Sequence, residues 1–108
     1  MARPVSKDDQ SRLTQVLKIL GNDRRLQIVS LLNDGRERWV GETESEIGDL
    51  SQSALSRHLS RLRAARILTT RRESQTIYYS LLDPDVIQLL CLLAHIYPDD
   101  PVLDITMH

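Results

Sequence analysis

A chain of 108 residues, 41% of them hydrophobic, is one domain, long enough for a single modest core and too short for two. Its 14 basic and 15 acidic residues leave a formal net charge of -1, which excludes a polycation that coats nucleic acid indiscriminately and still leaves room for a local basic face. One cysteine, Cys91, excludes an intrachain disulfide and any Cys-x-x-Cys motif, and with no bilayer-spanning apolar run and a polar start, MARPVSKDDQ, a cytoplasmic protein is expected.

Residues 1–10 mix charges and a proline without periodicity and read as a disordered N-terminal tail. Leu13, Val16, Leu17 and Leu20 then recur at three and four, which predicts a first amphipathic helix stopped by Gly21. Asn22 caps a second helix whose buried side is Leu26, Ile28, Val29, Leu31 and Leu32, an apolar face wide enough to make it central. Asn33-Asp34-Gly35 is a helix stop and turn, and Trp39-Val40 begins the next packed segment. A third, short helix lies within Gly41 to Ile47, with Ile47 its surest core contact, and Gly48-Asp49 turns the chain onward.

From Leu50 to Arg72 the chain carries six arginines (Arg57, Arg61, Arg63, Arg66, Arg71, Arg72), one histidine and no acid. Leu55, Leu59 and Leu62 mark a buried helical stripe, while Gln52, Ser53, Ser56, Arg57 and Ser60 fall on other faces, short polar side chains beside an arginine that suit the edges of bases. Ser51 caps this helix, predicted over Gln52 to Ala65, and presents its positive N-terminal end outward. His58, beside Leu59, is expected to pack at the helix-turn-helix seam. The bland alternative for the arginines is a solvated face paired to Glu42, Glu44 and Glu46 of the preceding helix, acids too few to neutralise six cations.

After Ala65 the period becomes alternating. Ile67 to Glu73 and Thr76 to Leu81 flank Ser74-Gln75 and predict a hairpin, with Ile77, Tyr79 and Leu81 on one face and Thr76, Tyr78 and Ser80 on the other. Arg71, Arg72 and Gln75 then project at its tip. Asp83 caps a last helix, Pro84 to Tyr97, that carries Val86, Ile87, Leu89, Leu90, Leu92, Leu93 and Ile96 nearly all round. So apolar a helix needs a partner on more than one side, which predicts a homodimer. Residues 98–108, with Asp99, Asp100 and Asp104, read as an acidic C-terminal tail.

Helix, turn, basic helix and hairpin make a winged helix-turn-helix, mainly α with a small β-hairpin, over residues 11–97. The runs LGNDRRLQIVSLL, LSQSALSRHLSRLRAARIL and TRRESQTIYYSLLDP closely resemble the ArsR/SmtB family of bacterial dimeric repressors, over roughly residues 12–97. Within it the chain is most similar to the branch whose members sense sulfide, persulfides or redox state, or nothing known, in place of metals. The resemblance implies the Gln52 to Ala65 helix in the major groove, an Arg71 to Thr76 wing near the minor groove, and dimerisation through the first and last helices. It assigns double-stranded DNA to Gln52, Ser53, Ser56, Arg57, Arg61, Arg71, Arg72 and Gln75, and the dimer seam to Leu13, Val16, Leu17, Leu20, Val86, Leu89, Leu90, Leu93, Ile96 and Tyr97.

The chain departs from the family pattern in telling places. Val40 to Ser51 is one residue longer than usual, Thr43 stands where a core leucine is expected, and Arg66 replaces a frequent glycine, so a left-handed backbone there costs about 1 kcal/mol. Metal-sensing relatives use thiolates on the third helix, where this chain has Trp39, Val40 and Gly41, or Asp-x-His with His-x-x-Glu on the last, where it has Asp83-x-Asp85 and His95-x-x-Pro98. No metal or other cofactor is therefore expected, the weak alternative being an inter-subunit site at Asp85 and His95. The dithiol relatives' cysteines fall on Ser30 and Pro98, and Cys91 is expected to be a buried small hydrophobe, against a reactive thiol or a bridge across the dimer. No His, Cys or Ser has both a base and an orienting acid at workable spacing, so no catalytic residue is assigned. The expected function is a sequence-specific DNA-binding regulator, a dimeric repressor of an inverted-repeat operator with an unknown inducer; the rival is a dimeric winged-helix interaction module without DNA.

Overall fold

Four helices begin the same way, on a side-chain oxygen that accepts backbone N–H groups left free by the first turn. Ser11 Oγ takes Thr14 N, Asn22 Oδ1 takes Arg24 N and Arg25 N at 3.0 and 3.1 Å, Ser51 Oγ takes Ala54 N at 3.2 Å, and Asp83 Oδ1 takes Asp85 N at 2.8 Å. The structure, a computed structural model, describes residues 11–103. In chain order its elements are α1 (Arg12–Leu20), α2 (Asp23–Leu32), β1 (Arg38–Trp39), α3 (Val40–Ile47), α4 (Gln52–Ala64), β2 (Leu68–Glu73), β3 (Thr76–Leu81) and α5 (Pro84–Ile96). This is a winged helix-turn-helix. The expected tail 1–10 and the last part of the acidic tail lie outside the described residues; residues 98–103 form turns in which Tyr97 and Asp100 carbonyls accept Asp100 N and Leu103 N.

The core is aliphatic. Leu55, Leu59 and Leu62 of α4 are fully buried against Ile28, Val29 and Leu32 of α2, with Ile67, Leu68, Val86 and Leu90 closing the rest. Each such side chain contributes about 1.5–3 kcal/mol relative to exposure. This core is what fixes α4, and with it the outward faces of α4.

Three local findings correct the sequence reading. The hairpin is part of a three-stranded antiparallel sheet in the order β1-β3-β2, because Arg38 and Trp39 pair with Tyr79 and Tyr78. A two-residue strand is too short to show alternation. Ile47 is only half-buried, whereas Thr43 is fully buried with its hydroxyl donating to the Trp39 carbonyl at 3.2 Å, so the residue in the leucine's place is the deeper contact. Arg38, unremarked in the sequence, is 3% exposed and reaches Asp34, Glu46 and the Leu31 carbonyl. A buried guanidinium is tolerated only when its donors are matched, and here they are.

The left-handed positions fall where the chain must turn sharply: Gly35 (φ 81°) after α2, Gly48 (φ 64°) and Asp49 (φ 43°) between α3 and α4, Arg66 (φ 60°) after α4, and Ser74 (φ 55°) at the hairpin tip. Arg66 adopts the conformation expected of the missing glycine. β2 and β3 pair from Leu68 with Leu81 to Glu73 with Thr76, leaving Ser74 and Gln75 as the two-residue turn. In α5 only Val86 and Leu90 are buried; Cys91, Leu92, Ile96 and Tyr97 are exposed.

Candidate nucleic-acid interface

The α3–turn–α4 unit presents α4 with one face sealed in the core and the others in solvent. Gln52, Ser53, Ser56, Arg57, Ser60 and Arg61 are all exposed, and Ser51 and Ser53 hydroxyls lie 3.4 Å apart at the helix start. Among the described residues none of the ion pairs includes Arg57, Arg61, Arg63 or Arg66. Two of the three acids that were to neutralise them are engaged elsewhere: Glu46 binds Arg38, and Glu42 accepts the Trp39 N–H at 3.2 Å. Four guanidinium groups on and after one helix thus keep their charge unpaired, the electrostatic footprint of a phosphate-binding surface.

The wing divides its two arginines. Arg72 is exposed, its Nε donating to the Ser74 carbonyl at 3.1 Å, with Gln75 exposed beside it. Arg71 is held by two carboxylates, Glu37 and Glu73, each at 2.9 Å, with its guanidinium 4.8 Å above the Tyr78 ring. Those hydrogen bonds raise the Arg71 pKa and lower that of Glu37. Arg71 is therefore not the free cation that sequence reasoning put at the tip, since the pairing depends on β1, which brings Glu37 across the sheet.

His58 lies half-buried on α4 beside Arg25 of α2, with which it lines a pocket, where packing at the helix-turn-helix seam was expected. Burial, then the cations Arg25, Arg57, Arg61 and Arg24, hold its imidazole below the usual range, and its Nδ1 is buried without a hydrogen-bond partner. Arg25, which the sequence reading passed over, is also buried there; its Nε donates to the Ile19 carbonyl, and burial followed by the Arg61 charge lowers its pKa.

The residues assigned to a dimer seam separate into two groups. Val16, Leu20, Val86 and Leu90 belong to the chain's own core, at 8% exposure or less, and so offer little surface of their own to a partner. Periodicity marks an apolar face without saying which neighbour covers it. Leu13, Leu17, Ile96 and Tyr97 are exposed at 53–66%, joined by Leu92, while Leu89 and Leu93 are half-buried. Arg12, Leu13, Val16, Asp83, Val86 and Leu89 line a groove between α1 and α5, bridged by Arg12 and Asp83 at 2.7 Å.

Cys91 is exposed in the single chain, 3.9 Å from Asn33 Nδ2, which corrects the expectation of a buried small hydrophobe. Ser30, at the position of the relatives' first cysteine, is buried with an unpartnered hydroxyl. Asp85 and His95 are ten residues apart on one helix, about 15 Å along its axis, too far to share an ion within a chain. Gly41, at the thiolate position of the third helix, lies directly under the Trp39 indole. Among the described residues no three His, Cys, Asp or Glu side chains converge, and no helix is long and apolar enough to cross a membrane.

Comparison with known proteins agrees with this geometry. Residues 22–70 match the family model described as bacterial regulatory protein, arsR family. The nodulation protein NolR of Rhizobium meliloti is 43% identical over 98 residues, covering 90% of this chain and 78% of that one. The transcriptional activator HlyU of Vibrio cholerae is 42% identical, covering 82% and 81%; a solved structure of HlyU superposes with a TM-score of 0.76 at 39% identity over 87% of this chain and all of that one. The biofilm growth-associated repressor of Xylella fastidiosa is 35% identical over 90% of this chain and 83% of that protein.

Proposed function

The chain belongs to the arsR family of bacterial regulatory proteins and is a DNA-binding transcriptional regulator, and from that premise we propose that it acts as a homodimer that binds an inverted-repeat operator and represses. In this reading Gln52, Ser53, Ser56 and Arg57 face base edges and phosphates in the major groove, Arg61 holds phosphate, and Arg72 with Gln75 grips the flanking minor groove. The observation that carries it is the row of α4 arginines without an acid partner, set on a helix whose opposite face is locked into the core. Two such helices, one from each protomer, would meet successive major grooves of a two-fold site.

The exposed apolar residues Leu13, Leu17, Leu92, Ile96 and Tyr97 support a partner on α1 and α5, since a monomer gains nothing by leaving them in water. In this reading the protein acts by occupying promoter DNA. The relatives' names include both a repressor and an activator, and occupancy serves either outcome according to what it displaces. The incomplete metal and dithiol ligand sets put the inducer, if any, outside those two chemistries, and the regulator works without a cofactor inside the cell's cytoplasm.

The test is fluorescence anisotropy with the DNA upstream of the chain's own gene, against a scrambled duplex, together with sedimentation of the free protein. Nanomolar, salt-sensitive binding to the first and a dimer at micromolar concentration are expected. A stable monomer, or equal affinity for both duplexes, would refute the proposal.

A further inference from the structure

Between α2 and α4 there is a pocket of about 260 Å³, lined by Arg25, Ala54, Arg57, His58 and Arg61. No carboxylate is part of its wall, and among the described residues none of the ion pairs reaches its three arginines. Arg24, the next cation, is already met by Asp49 at 3.4 Å.

Such a gathering is unfavourable by itself. Arg25 is only 9% exposed, and of its guanidinium the Nε is committed to the Ile19 carbonyl, which fixes the plane of the group while its terminal nitrogens have no protein acceptor among the described hydrogen bonds. Arg57 and Arg61 are one turn apart on α4 and so share a face of that helix. Ala54, one turn earlier, is small enough to leave the space open. Like charges brought together in a partly desolvated pocket repel unless an anion joins them, and the planar fork of arginine matches the oxygens of a phosphate better than any other side chain. His58 completes the wall, its Nδ1 buried without a hydrogen-bond partner and its pKa lowered by burial and by the neighbouring cations.

We propose that this pocket is a phosphate seat, in which Arg25 and Arg61, with Arg57 at the rim, hold the oxygens of one phosphate group against the His58 ring. The seat rests on the regulator reading in its preferred source, a backbone phosphate of bound duplex DNA; inorganic phosphate offers the same chemistry. An anion there offsets the surrounding cations, so His58 is a built-in reporter whose pKa rises on occupancy.

The experiment follows the His58 ring protons by NMR in the full chain, first with inorganic phosphate replacing chloride at constant ionic strength, then with operator and scrambled duplexes. Expected is a saturable shift and a raised His58 pKa with phosphate, the same rise with either duplex, and loss of both in Arg61→Gln, whose side chain is exposed and takes part in none of the described ion pairs. In anisotropy that variant should bind both duplexes about tenfold more weakly, with a salt slope smaller by about one. A response to phosphate without one to DNA assigns the seat to the free anion. A response to DNA alone assigns it to the backbone. If His58 answers neither while the wild type binds duplex, the seat is wrong and the regulator reading stands; if the wild type binds no duplex, that reading fails and the phosphate arm still decides the seat.

Discussion

Arg71 and Glu37 form a bidentate pair across the full width of the sheet. Nε lies 2.9 Å from Oε2 and Nη2 3.0 Å from Oε1, with the guanidinium passing over Tyr78 of the middle strand. Glu73 takes the remaining nitrogen at 2.9 Å. The wing therefore carries two carboxylates for one of its two arginines, and any phosphate that approaches meets Arg72 first.

Glu37→Gln should tighten binding to duplex DNA. It removes one negative charge from the wing and frees one face of Arg71 for phosphate, so a gain of about threefold at low salt and a steeper salt slope, by up to one, are expected. The measurement is an anisotropy titration across a salt series. Unchanged affinity would mean that the Glu37 side of the sheet does not face DNA.

Arg57→Ala and Arg72→Ala should weaken binding by different routes. Arg57 projects from the second turn of α4, so its loss should remove about 1–3 kcal/mol and relax sequence preference. Arg72 lies at the hairpin tip, where a long cation enters a narrow minor groove or holds phosphate, and its loss should act evenly on operator and scrambled DNA, lowering the salt slope by about one. Arg71→Ala should cost less than Arg72→Ala, because Arg71 is already neutralised within the protein.

Asp34→Ala should destabilise the fold by about 3 kcal/mol, measured as a lower urea midpoint with unchanged m. The carboxylate takes both terminal nitrogens of the buried Arg38, at 3.0 and 2.7 Å, and only Glu46 and the Leu31 carbonyl would remain. The Arg38 hydrogen bond holds the Asp34 carboxyl below the usual carboxylate range. A loss under ~1 kcal/mol would show that solvent reaches Arg38 after all.

Acid should weaken the protein in two steps. His58 has a depressed pKa in the fold, so the unfolded chain binds more protons in the interval below about 6.5, and stability falls as pH drops through that interval towards the folded value. Asp34 and Asp83, held low chiefly by Arg38 and Arg12, contribute stability that is present above about pH 4 and lost as pH falls through their folded values. His58→Gln should abolish the first step in urea titrations at pH 7 and 5.5 and leave the second. A first step that survives in the variant would place it on another group.

Much of this architecture was legible because helices announce themselves twice, by period and by cap. Ser51 with Leu55, Leu59 and Leu62 located α4 to within a residue, and Asp83-Pro84 located the start of α5. What stayed hidden depended on contacts remote in sequence. Two residues cannot display a strand's alternation, so β1 was invisible, and with it the Glu37–Arg71 pair that changes the wing's charge. Arg25 and Arg38 drew no notice in the sequence because composition cannot say which arginine is buried. The α4 arginines stood out in the sequence as a cluster, but that their neighbours Glu42 and Glu46 were otherwise engaged needed coordinates.

The apolar surface on α1 and α5 yields the prediction on which the dimeric reading depends. Val86 and Leu90 serve the chain's own core, so changing them would confuse unfolding with dissociation. Ile96 is 54% exposed and lies on the last turn of α5, where a single chain tolerates a carboxylate in water. In a seam the same carboxylate would be desolvated without a partner, a cost of several kcal/mol. Ile96→Asp should therefore keep its helical circular dichroism and still unfold cooperatively in urea while sedimenting as a monomer. It should also lose at least about tenfold in affinity for a full inverted repeat and much less for a half-site, because two linked reading heads gain from effective concentration that one lacks. If Ile96→Asp remains a dimer with wild-type operator affinity, the exposed residues of α1 and α5 cover something other than a second copy of this chain, and the two-fold arrangement of α4 has to be abandoned with them.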